Sequence, residues 1–252
     1  MLAKERQNEI SRLIRKNGAV MTATLVKRFG VSVETVRRDL LEMEGNGELI
    51  RVHGGAVAKS DMKPELGLKE RNEEYKSQKN DLSLKAMRFI QDGDIIGLES
   101  GSTAIFFAEA LKSAFKNLTV VTNSMDVFNI LVGCEGFSVI LCGGYFMKNE
   151  NAFYGSLTIK MLKNLHIQKV FICPSAVSIE HGICDYQDEL YLVQEQLLKI
   201  ADEVFVVADS SKFEKKALLK LDDMKTEYTY ITDNDLSEEL VRLYKENNIN
   251  IY

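Results

Sequence analysis

The sequence feature that most constrains this chain is a helical apolar repeat close to its start. The repeat places four apolar side chains at spacings of three and four residues: Val33, Val36, Leu40 and Met43. That spacing predicts a helix with one buried stripe. At about 100° per residue, Arg38 lies on the opposite face, and Thr35 and Arg37 lie on the flanks. The exposed face of this helix is therefore basic and polar.

A shorter amphipathic segment precedes this helix, and Gly30 separates the two. We expect Thr22 to cap the first helix and Ser32 to cap the second, because small polar side chains bind the free backbone N–H groups of a first helical turn. Gly30 supplies the tight turn between them. Two short helices joined in this way are typical of a helix-turn-helix. A further amphipathic helix over residues 3 to 17 would support the pair.

Two short apolar runs around a glycine-rich bend follow, and we interpret them as a β-hairpin wing over residues 48 to 57. Arg51 and His53 would lie near its tip or edge, where a cation can contact a phosphate or enter the minor groove of DNA. The alternative is a helical pair with a solvated basic face, since exposed arginine is common on any protein. The turn, the apolar stripe and the wing together favour DNA binding.

The same residues carry a resemblance to a known family. Residues 35–40 read Thr-Val-Arg-Arg-Asp-Leu, and residues 50–56 read Ile-Arg-Val-His-Gly-Gly-Ala. Both resemble the amino-terminal winged helix of the DeoR family of bacterial sugar-catabolism regulators, in which the first motif enters the major groove of DNA. The candidate DNA-binding residues are therefore four that the resemblance implies and two from the wing: Ser32, Thr35, Arg37 and Arg38, with Arg51 and His53.

Charge divides the chain into two parts. The first 60 residues hold 11 Lys and Arg against 7 Asp and Glu, which is about +4, and the total of −5 leaves about −9 for the rest. A basic head on an acidic body fits a nucleic-acid-binding domain joined to another domain. We expect a DNA-binding domain at 1–57, a polar linker at 58–74 with a helix beginning near Leu68, and an effector domain at 75–252.

Beyond residue 77, helical patterns alternate with short apolar runs, which predicts a mostly parallel α/β sheet covered by helices. The predicted strands are 95–98, 118–121, 137–141, 170–173, 204–208, 228–231 and 249–252. Polar loops follow four of them, and ligands of open α/β sheets bind outside the carboxyl ends of the strands. In a parallel sheet the four loops converge on one edge, where a polyhydroxylated, phosphorylated small molecule is the natural ligand.

The candidate effector-binding residues are those of the four loops, because small residues and helix N-termini offer backbone and hydroxyl donors to an anion. Each loop also has a simpler interpretation as a helix cap or a turn. The candidates are Ser100, Gly101, Ser102 and Thr103 after the first strand, Thr122, Asn123 and Ser124 after the second, Gly143, Gly144 and Lys148 after the third, and Asp209, Ser211 and Lys212 after the fifth.

These loops resemble the effector domain of the DeoR family, which is similar to sugar-phosphate isomerases such as ribose-5-phosphate isomerase. The chain departs from the family at residues 173–176, where Cys-Pro-Ser-Ala replaces a glycine-rich turn, and at Gln194, where a lysine is common. The resemblance implies a transcription regulator that binds a double-stranded DNA operator. It would repress a sugar or polyol catabolic operon until a phosphorylated sugar releases it.

Two other classes of protein remain open at this point. A sugar-phosphate isomerase-like enzyme with an accessory DNA-binding domain could pair Lys212 with a carboxylate, and sustained turnover of a pentose or hexose phosphate would identify it. The carboxylate candidates are Asp185, Asp188 and Glu189. An adaptor that uses its head for protein contacts would lack the steep salt dependence of DNA binding. We expect a regulator with no catalytic activity and no cofactor.

The cysteines and the hydropathy limit what else the chain can be. A zinc site from Cys173, His181 and Cys184 would have the right ligand types, but the spacing is not a recognised pattern, so we expect no metal and reduced thiols. No apolar run approaches the roughly 20 residues that cross a bilayer, and we expect a cytoplasmic protein with no membrane contact. One head contacts one half-site, which predicts a homodimer or homotetramer.

Overall fold

The computed structural model describes residues 2–17, 19–52, 54–58 and 67–252, and its first part is a winged helix-turn-helix. The elements follow in the order α1 (Ala3–Asn17), β1 (Ala19–Met21), α2 (Thr22–Phe29), α3 (Val33–Gly45), β2 (Leu49–Val52) and β3 (Gly55–Ala58). The three strands form an antiparallel sheet in the order β1-β3-β2. Helices and sheet enclose one apolar core, to which Ile10, Leu25 and Val36 each contribute a fully buried side chain.

Glycine residues fix two sharp features of this head. Gly30 ends α2 with a φ of 64°, a left-handed conformation that favours glycine. Gly55 lies where β3 pairs with β1, and a Cβ there would lie 2.0 Å from the carbonyl oxygen of Val20. Only glycine permits that approach. The strand β1 was not predicted, because three residues are too few to show an alternating pattern.

Two details of the predicted helix pair are wrong. Thr22 is not a cap, because α2 begins at that residue and Met21 precedes it without a side-chain hydrogen bond. Val33 is not in the buried stripe: it is 45% exposed, since it is the first residue of α3 and precedes the turns that pack on the core. Asp39 is buried on the inner face of α3 in its place.

The second part is an α/β domain. Its helices and strands follow in the order α4 (Leu68–Glu73), α5 (Lys76–Ala86), β4 (Ile95–Leu98), α6 (Ser102–Ala114), β5 (Leu118–Thr122), α7 (Met125–Leu131), β6 (Phe137–Leu141), β7 (Tyr145–Met147), β8 (Ala152–Tyr154), α8 (Ser156–Leu162), β9 (Ile167–Ile172), β10 (Ala176–Ser178), β11 (Gly182–Asp185), α9 (Asp188–Ile200), β12 (Ala201–Val207), β13 (Leu219–Asp222), β14 (Thr229–Ile231) and α10 (Glu238–Glu246). Short 3₁₀ turns occupy Met87–Phe89 and Ser210–Lys212.

Six of the seven predicted strands are present, and all pair in parallel in the order β14-β12-β9-β4-β5-β6. The fold class predicted from the sequence is thereby confirmed. The strand predicted at 249–252 is present only as a parallel bridge from Ile251 to Tyr230, where three backbone hydrogen bonds join residues 250–252 to residues 230–232. The prediction also missed two antiparallel units, β7-β8 and β10-β11-β13, whose strands are too short to show a period.

Both faces of the parallel sheet are buried. In β9, Val170 and Ile172 belong to one apolar cluster, while Phe171 belongs to the cluster on the other face. Phe171 packs against Phe107 and Phe205, with ring centroids 4.6 and 4.8 Å apart. Continuous apolar strands are what a parallel sheet covered on both faces requires.

The sheet order determines which loops meet. The central strands are β12, β9 and β4, so the loops after their carboxyl ends are neighbours at one edge. The helix α4 begins at Leu68 as expected and packs against α6, which starts at the same edge. The polar residues at the carboxyl ends of these three strands therefore lie close together.

Candidate DNA-binding surface and effector cavity

The N-terminus of α3 is held in place by Ser32. Its hydroxyl accepts a hydrogen bond from the backbone N–H of Thr35 at 3.1 Å and bonds the Thr35 hydroxyl at 2.8 Å. This is the cap that the sequence predicted. Because both side chains take part, the first turn of the helix presents fixed hydroxyl groups rather than mobile ones.

The candidate DNA-binding residues of α3 and the wing share one concave surface. We call it the DNA-binding surface, and it is lined by Ser32, Glu34, Thr35, Arg37, Arg38, Leu41 and Arg51. The structure thus brings together five of the six predicted residues, and His53 lies outside the described residues. The apolar repeat gave no reason to select Leu41, which is 56% exposed.

The three arginines of this surface differ in their partners. Arg37 lies 3.9 Å from Glu34, and Arg51 lies 3.8 Å from Glu44, whose carboxylate also accepts the backbone N–H of Arg51 at 2.9 Å. Exposed ion pairs of this length are weak and release their cations readily. Arg38 is exposed and forms no ion pair with any residue in the described ranges. Its guanidinium is therefore free to contact DNA.

The opposite face of α3 is anchored to α1. The Asp39 carboxylate accepts two hydrogen bonds from the Arg6 guanidinium, from Nε at 2.7 Å and from Nη2 at 3.0 Å, and both side chains are less than 10% exposed. A bidentate pair of this kind fixes orientation as well as distance. It sets the angle at which α3 presents its outer face.

A polar cavity lies at the carboxyl ends of β4, β9 and β12. We call it the effector cavity. Five of the predicted effector residues line it: Ser100, Gly101, Ser102, Thr103 and Lys212. Nine further residues that were not predicted as effector-binding complete its wall: Arg71, Glu99, Glu150, Cys173, Ser175, Asp185, Gln187, Leu190 and Gln194. They come from segments spread over the whole domain, so no single motif could have shown them together.

The loop after β5 does not line this cavity. Thr122 accepts the N–H of Ser124 at 3.0 Å, and Ser124 caps α7 through the N–H of Val127 at 3.2 Å. Asn123 binds β8, since its amide donates to the carbonyl oxygen of Phe153 at 3.0 Å. These residues hold a helix and a hairpin in place, and β5 lies on the far side of β4 from β9.

Other predicted effector residues also lie apart from the cavity. Gly143 lines a separate shallow depression beside α8, and a Cβ on Gly144 would lie 2.2 Å from the Thr158 hydroxyl. Lys148 is exposed in the turn between β7 and β8. Asp209 is buried, and its carboxylate accepts the N–H and the hydroxyl of Ser211, so this pair caps the 3₁₀ turn that carries Lys212.

Cations border the effector cavity on two sides. Lys212 donates to the carbonyl oxygen of Pro174 at 3.0 Å, and Arg71 forms an ion pair with Glu150. Behind Arg71, the buried Lys79 donates to the carbonyl oxygens of Arg71 and Glu74, the latter at 2.8 Å. Burial and the charge of Lys212 lower the pKa of Lys79 to about 8. Two cations, Arg71 and Lys212, thus lie on the wall of the cavity, where they could bind an anion.

The floor of the cavity is acidic. Burial and the charge of Asp185 together raise the pKa of Glu99 to about 8, although the backbone N–H of Cys173 donates to the same carboxyl group and lowers it. Asp185 accepts hydrogen bonds from the Ser175 hydroxyl at 2.9 Å and from the Gln194 amide at 2.7 Å. The floor thus offers several oriented groups to hydroxyls of a ligand.

The raised pKa of Glu99 predicts a dependence of stability on pH. The folded protein keeps this proton up to about pH 8, whereas the unfolded chain loses it near its ordinary pKa of 4.5. Folding therefore takes up a proton between these values, and this group makes the protein less stable as the pH rises from about 5 to 8. We expect Glu99→Gln to flatten the fall in melting temperature over that range in effector-free protein. Glu109→Gln, an exposed change on α6, is the matched control, and parallel curves for Glu99→Gln and wild type would contradict the prediction.

Two buried polar atoms at the cavity have no hydrogen-bond partner in the structure. They are the hydroxyl oxygen of Thr103 and the amide oxygen Oε1 of Gln194, on residues that are 1% and 3% exposed. Buried polar atoms are nearly always paired, and unpaired ones cost about 1–3 kcal/mol each. Both residues line the cavity, so these are polar groups that a ligand or water there could bind.

Comparison with known proteins identifies the family of both domains. A family model described as a DeoR-like helix-turn-helix domain matches residues 6–61, and one described as the DeoR C terminal sensor domain matches residues 74–234. The chain belongs to the DeoR family. It is therefore a DNA-binding regulator of transcription and not an enzyme.

Several relatives match this DeoR-family chain along nearly its whole length. The lactose phosphotransferase system repressor of Streptococcus mutans is 33% identical over 97% of this chain and 98% of its own length. The L-fucose operon activator of Haemophilus influenzae is 31% identical over 97% of each chain. Ribose 5 phosphate isomerase A from Neisseria gonorrhoeae is similar in structure, with a TM-score of 0.41 and 18% identity over 55% of this chain and 53% of that chain. A similarity at that level carries no conclusion about function.

Three further observations on the described residues of this DeoR-family member concern metals, thiols and membranes. Among them, no group of three or more His, Cys, Asp or Glu side chains could hold a metal ion. All four cysteines are free, and burial raises the pKa of Cys142 to about 11. No helix in the described ranges is long and apolar enough to span a membrane.

Proposed function

We propose that this protein represses a sugar or polyol catabolic operon and that a phosphorylated sugar releases it from its operator. The observation that carries the proposal is the effector cavity, which combines two cations and a helix N-terminus with a floor of hydrogen-bonding groups. The printed names of relatives point the same way, since the Streptococcus mutans relative is a lactose phosphotransferase system repressor and one from Escherichia coli is a putative aga operon repressor.

The phosphate would bind at the N-terminus of α6. Gly101 precedes the helix with a φ of 128°, and Ser102 and Thr103 form its first turn, so backbone N–H groups and hydroxyls point at one place. Lys212 and Arg71 would supply the opposite charge. The sugar hydroxyls would then lie on the floor, near Glu99 and Asp185. A free sugar lacks the anion, and we expect it to bind far more weakly.

The operator would be bound by the head. The outer face of α3 would enter the major groove, with Ser32, Thr35, Arg37 and Arg38 toward the bases and phosphates and Arg51 of the wing beside them. Because one head covers one half-site, we propose a homodimer or homotetramer on a palindromic or repeated operator. The protein would act in the cytoplasm, where the chromosome is. In this division of labour, residues 1–57 bind DNA, 58–74 connect, and 75–252 bind the effector.

Arg71 would couple the two sites. It lies on α4, the first helix after the winged domain in the described chain, and it also lines the effector cavity, where it pairs with Glu150. A bound phosphate competes with Glu150 for this guanidinium and so favours a different position of α4. A phosphate that binds more tightly when α4 is in this second position shifts the protein toward it, because a ligand shifts an equilibrium only by its difference in affinity for the two states. The heads would then no longer match the spacing of the operator.

The test is fluorescence anisotropy of the full chain on DNA from upstream of its own operon, with and without a panel of sugar phosphates. We expect tight binding that weakens steeply with salt, because phosphate contacts release counterions, and that one compound abolishes. Binding that no sugar phosphate changes would refute the proposed effector. Salt-insensitive binding to random DNA, with no preference for the operon, would refute the proposed operator function.

A further inference from the structure

The amide of Gln194 is held in one orientation. Its Nε2 donates to the Asp185 carboxylate at 2.7 Å, and the other oxygen of that carboxylate accepts the Ser175 hydroxyl at 2.9 Å and the backbone N–H of Tyr186 at 2.7 Å. A carboxylate accepts hydrogen bonds and does not donate them. A flipped amide would place Oε1 against the Asp185 carboxylate, which is also an acceptor. Oε1 therefore points away from Asp185 and has no hydrogen-bond partner.

That oxygen is a buried acceptor without a partner, on a residue that lines the effector cavity. Gln194 lies in the middle of α9, lines the cavity and is 3% exposed, and Oε1 has no hydrogen-bond partner. One donor of this amide is thus engaged by Asp185, while its acceptor has no partner. A group that donates a hydrogen bond would satisfy that acceptor.

We propose that Gln194 determines which phosphorylated sugar is bound, by accepting a hydrogen bond from one hydroxyl of the effector through Oε1. The inference rests on the proposed function and goes further, because it specifies the group beyond the phosphate. A ligand hydroxyl satisfies the buried oxygen. A deoxy sugar, which has a methylene in place of that hydroxyl, leaves Oε1 unpaired. A keto sugar places a carbonyl oxygen, a second acceptor, next to Oε1. The cavity therefore selects a hydroxyl at this position over a deoxy or keto group.

The chain offers a matched pair of variants. Gln194→Met keeps the length of the side chain and removes both the acceptor Oε1 and the donor to Asp185. Gln196→Met makes the same change two residues away on α9, at a buried glutamine that does not line the cavity. Any loss of packing or helix stability common to both variants is thereby separated from ligand recognition. Melting curves of the two effector-free proteins report whether each is folded.

The experiment is isothermal titration calorimetry of the full-length wild type and both variants with two series of probes. They are D-glucose 6-phosphate with its 1-deoxy, 2-deoxy and 3-deoxy analogues, and D-ribose 5-phosphate with 2-deoxy-D-ribose 5-phosphate. We expect one deoxy analogue to bind wild type about 10- to 100-fold more weakly than its parent sugar. In Gln194→Met the parent should bind as weakly as that analogue does, so the difference between them disappears. Gln196→Met should keep the wild-type difference.

Three outcomes would overturn the inference. Unchanged discrimination in Gln194→Met would mean that Oε1 is satisfied within the protein. An equal loss for every probe, deoxy analogues included, would mean that the substitution damages the cavity as a whole and that no hydroxyl is selected. If wild type binds no member of either series and no compound of the anisotropy panel releases the operator, the proposed sugar-phosphate effector fails as well, and the first two outcomes are distinct from this one because there the parent sugars bind wild type.

Discussion

Asp39→Ala should unfold the N-terminal domain and abolish DNA binding while the α/β domain stays folded. The substitution removes the carboxylate that binds Arg6 through two hydrogen bonds, and it leaves the guanidinium buried without that counter-charge. Breaking one partner of a buried ion pair costs about 3–5 kcal/mol. A domain of fewer than 60 residues rarely holds more than about 3–5 kcal/mol of stability. The expected loss of stability is therefore as large as the whole free energy of unfolding of this domain.

Hydrogen exchange of the full chain measures this result locally. Amide protection should be lost in α1 and α3 and retained in β9, the central strand of the parallel sheet. Glu34→Ala is the control, because its carboxylate is 85% exposed and lies 3.9 Å from Arg37, and surface pairs of this kind contribute about 0–1 kcal/mol. Wild-type protection of α3 in Asp39→Ala would show that the ion pair contributes little to the stability of the head.

Arg38→Ala should weaken operator binding about 5- to 150-fold without changing stability. Arg38 is exposed on the DNA-binding surface and pairs with no carboxylate in the described ranges, so its removal disturbs nothing inside the protein. An arginine contact to DNA is worth about 1–3 kcal/mol. If Arg38 binds a phosphate, the slope of log affinity against log salt falls by about 1, whereas a base contact leaves that slope unchanged and relaxes sequence preference.

Lys212→Ala provides the reciprocal result for the same experiment. The Lys212 side chain lines the effector cavity. We expect the variant to bind operator as wild type does and to lose the increase in melting temperature that a sugar phosphate gives. Arg38→Ala should keep that stabilisation. Damage to both activities by each variant would indicate misfolding rather than separate sites.

The DNA-binding surface could be found from the sequence because it is local. Its residues lie within 20 positions of one another on a helix and the hairpin that follows, so helical period and turn chemistry determine which side chains face outward. The loop after β4 was predictable for the same reason, since a strand, a glycine and a helix start adjoin in the chain. The errors at Thr22 and Val33 concern the first residues of helices, where a shift of the helix start by one residue changes whether a side chain caps the helix, packs on the core or is exposed.

The effector cavity shows what the sequence could not supply. Its wall is assembled from residues between Arg71 and Lys212. The order of parallel strands brings the loops after β4, β9 and β12 together, and the hydrogen bonds of Asn123 and Ser124 to β8 and α7 hold the loop after β5 away from them. The buried carboxyl of Glu99 and the empty oxygen of Gln194 exist only in that arrangement. Strand order depends on long-range packing, and no short window of sequence contains it.

The sequence by itself determined that this chain has a basic winged head and a parallel α/β body, because periodicity, caps and charge act over a few residues at a time. The tertiary structure decided the role of Asp39, which the family motif contains but does not explain, by bringing Arg6 from another helix against it. It also decided which polar loops form the cavity. Both depend on contacts between residues far apart in the chain, whose geometry arises only when the whole chain has folded.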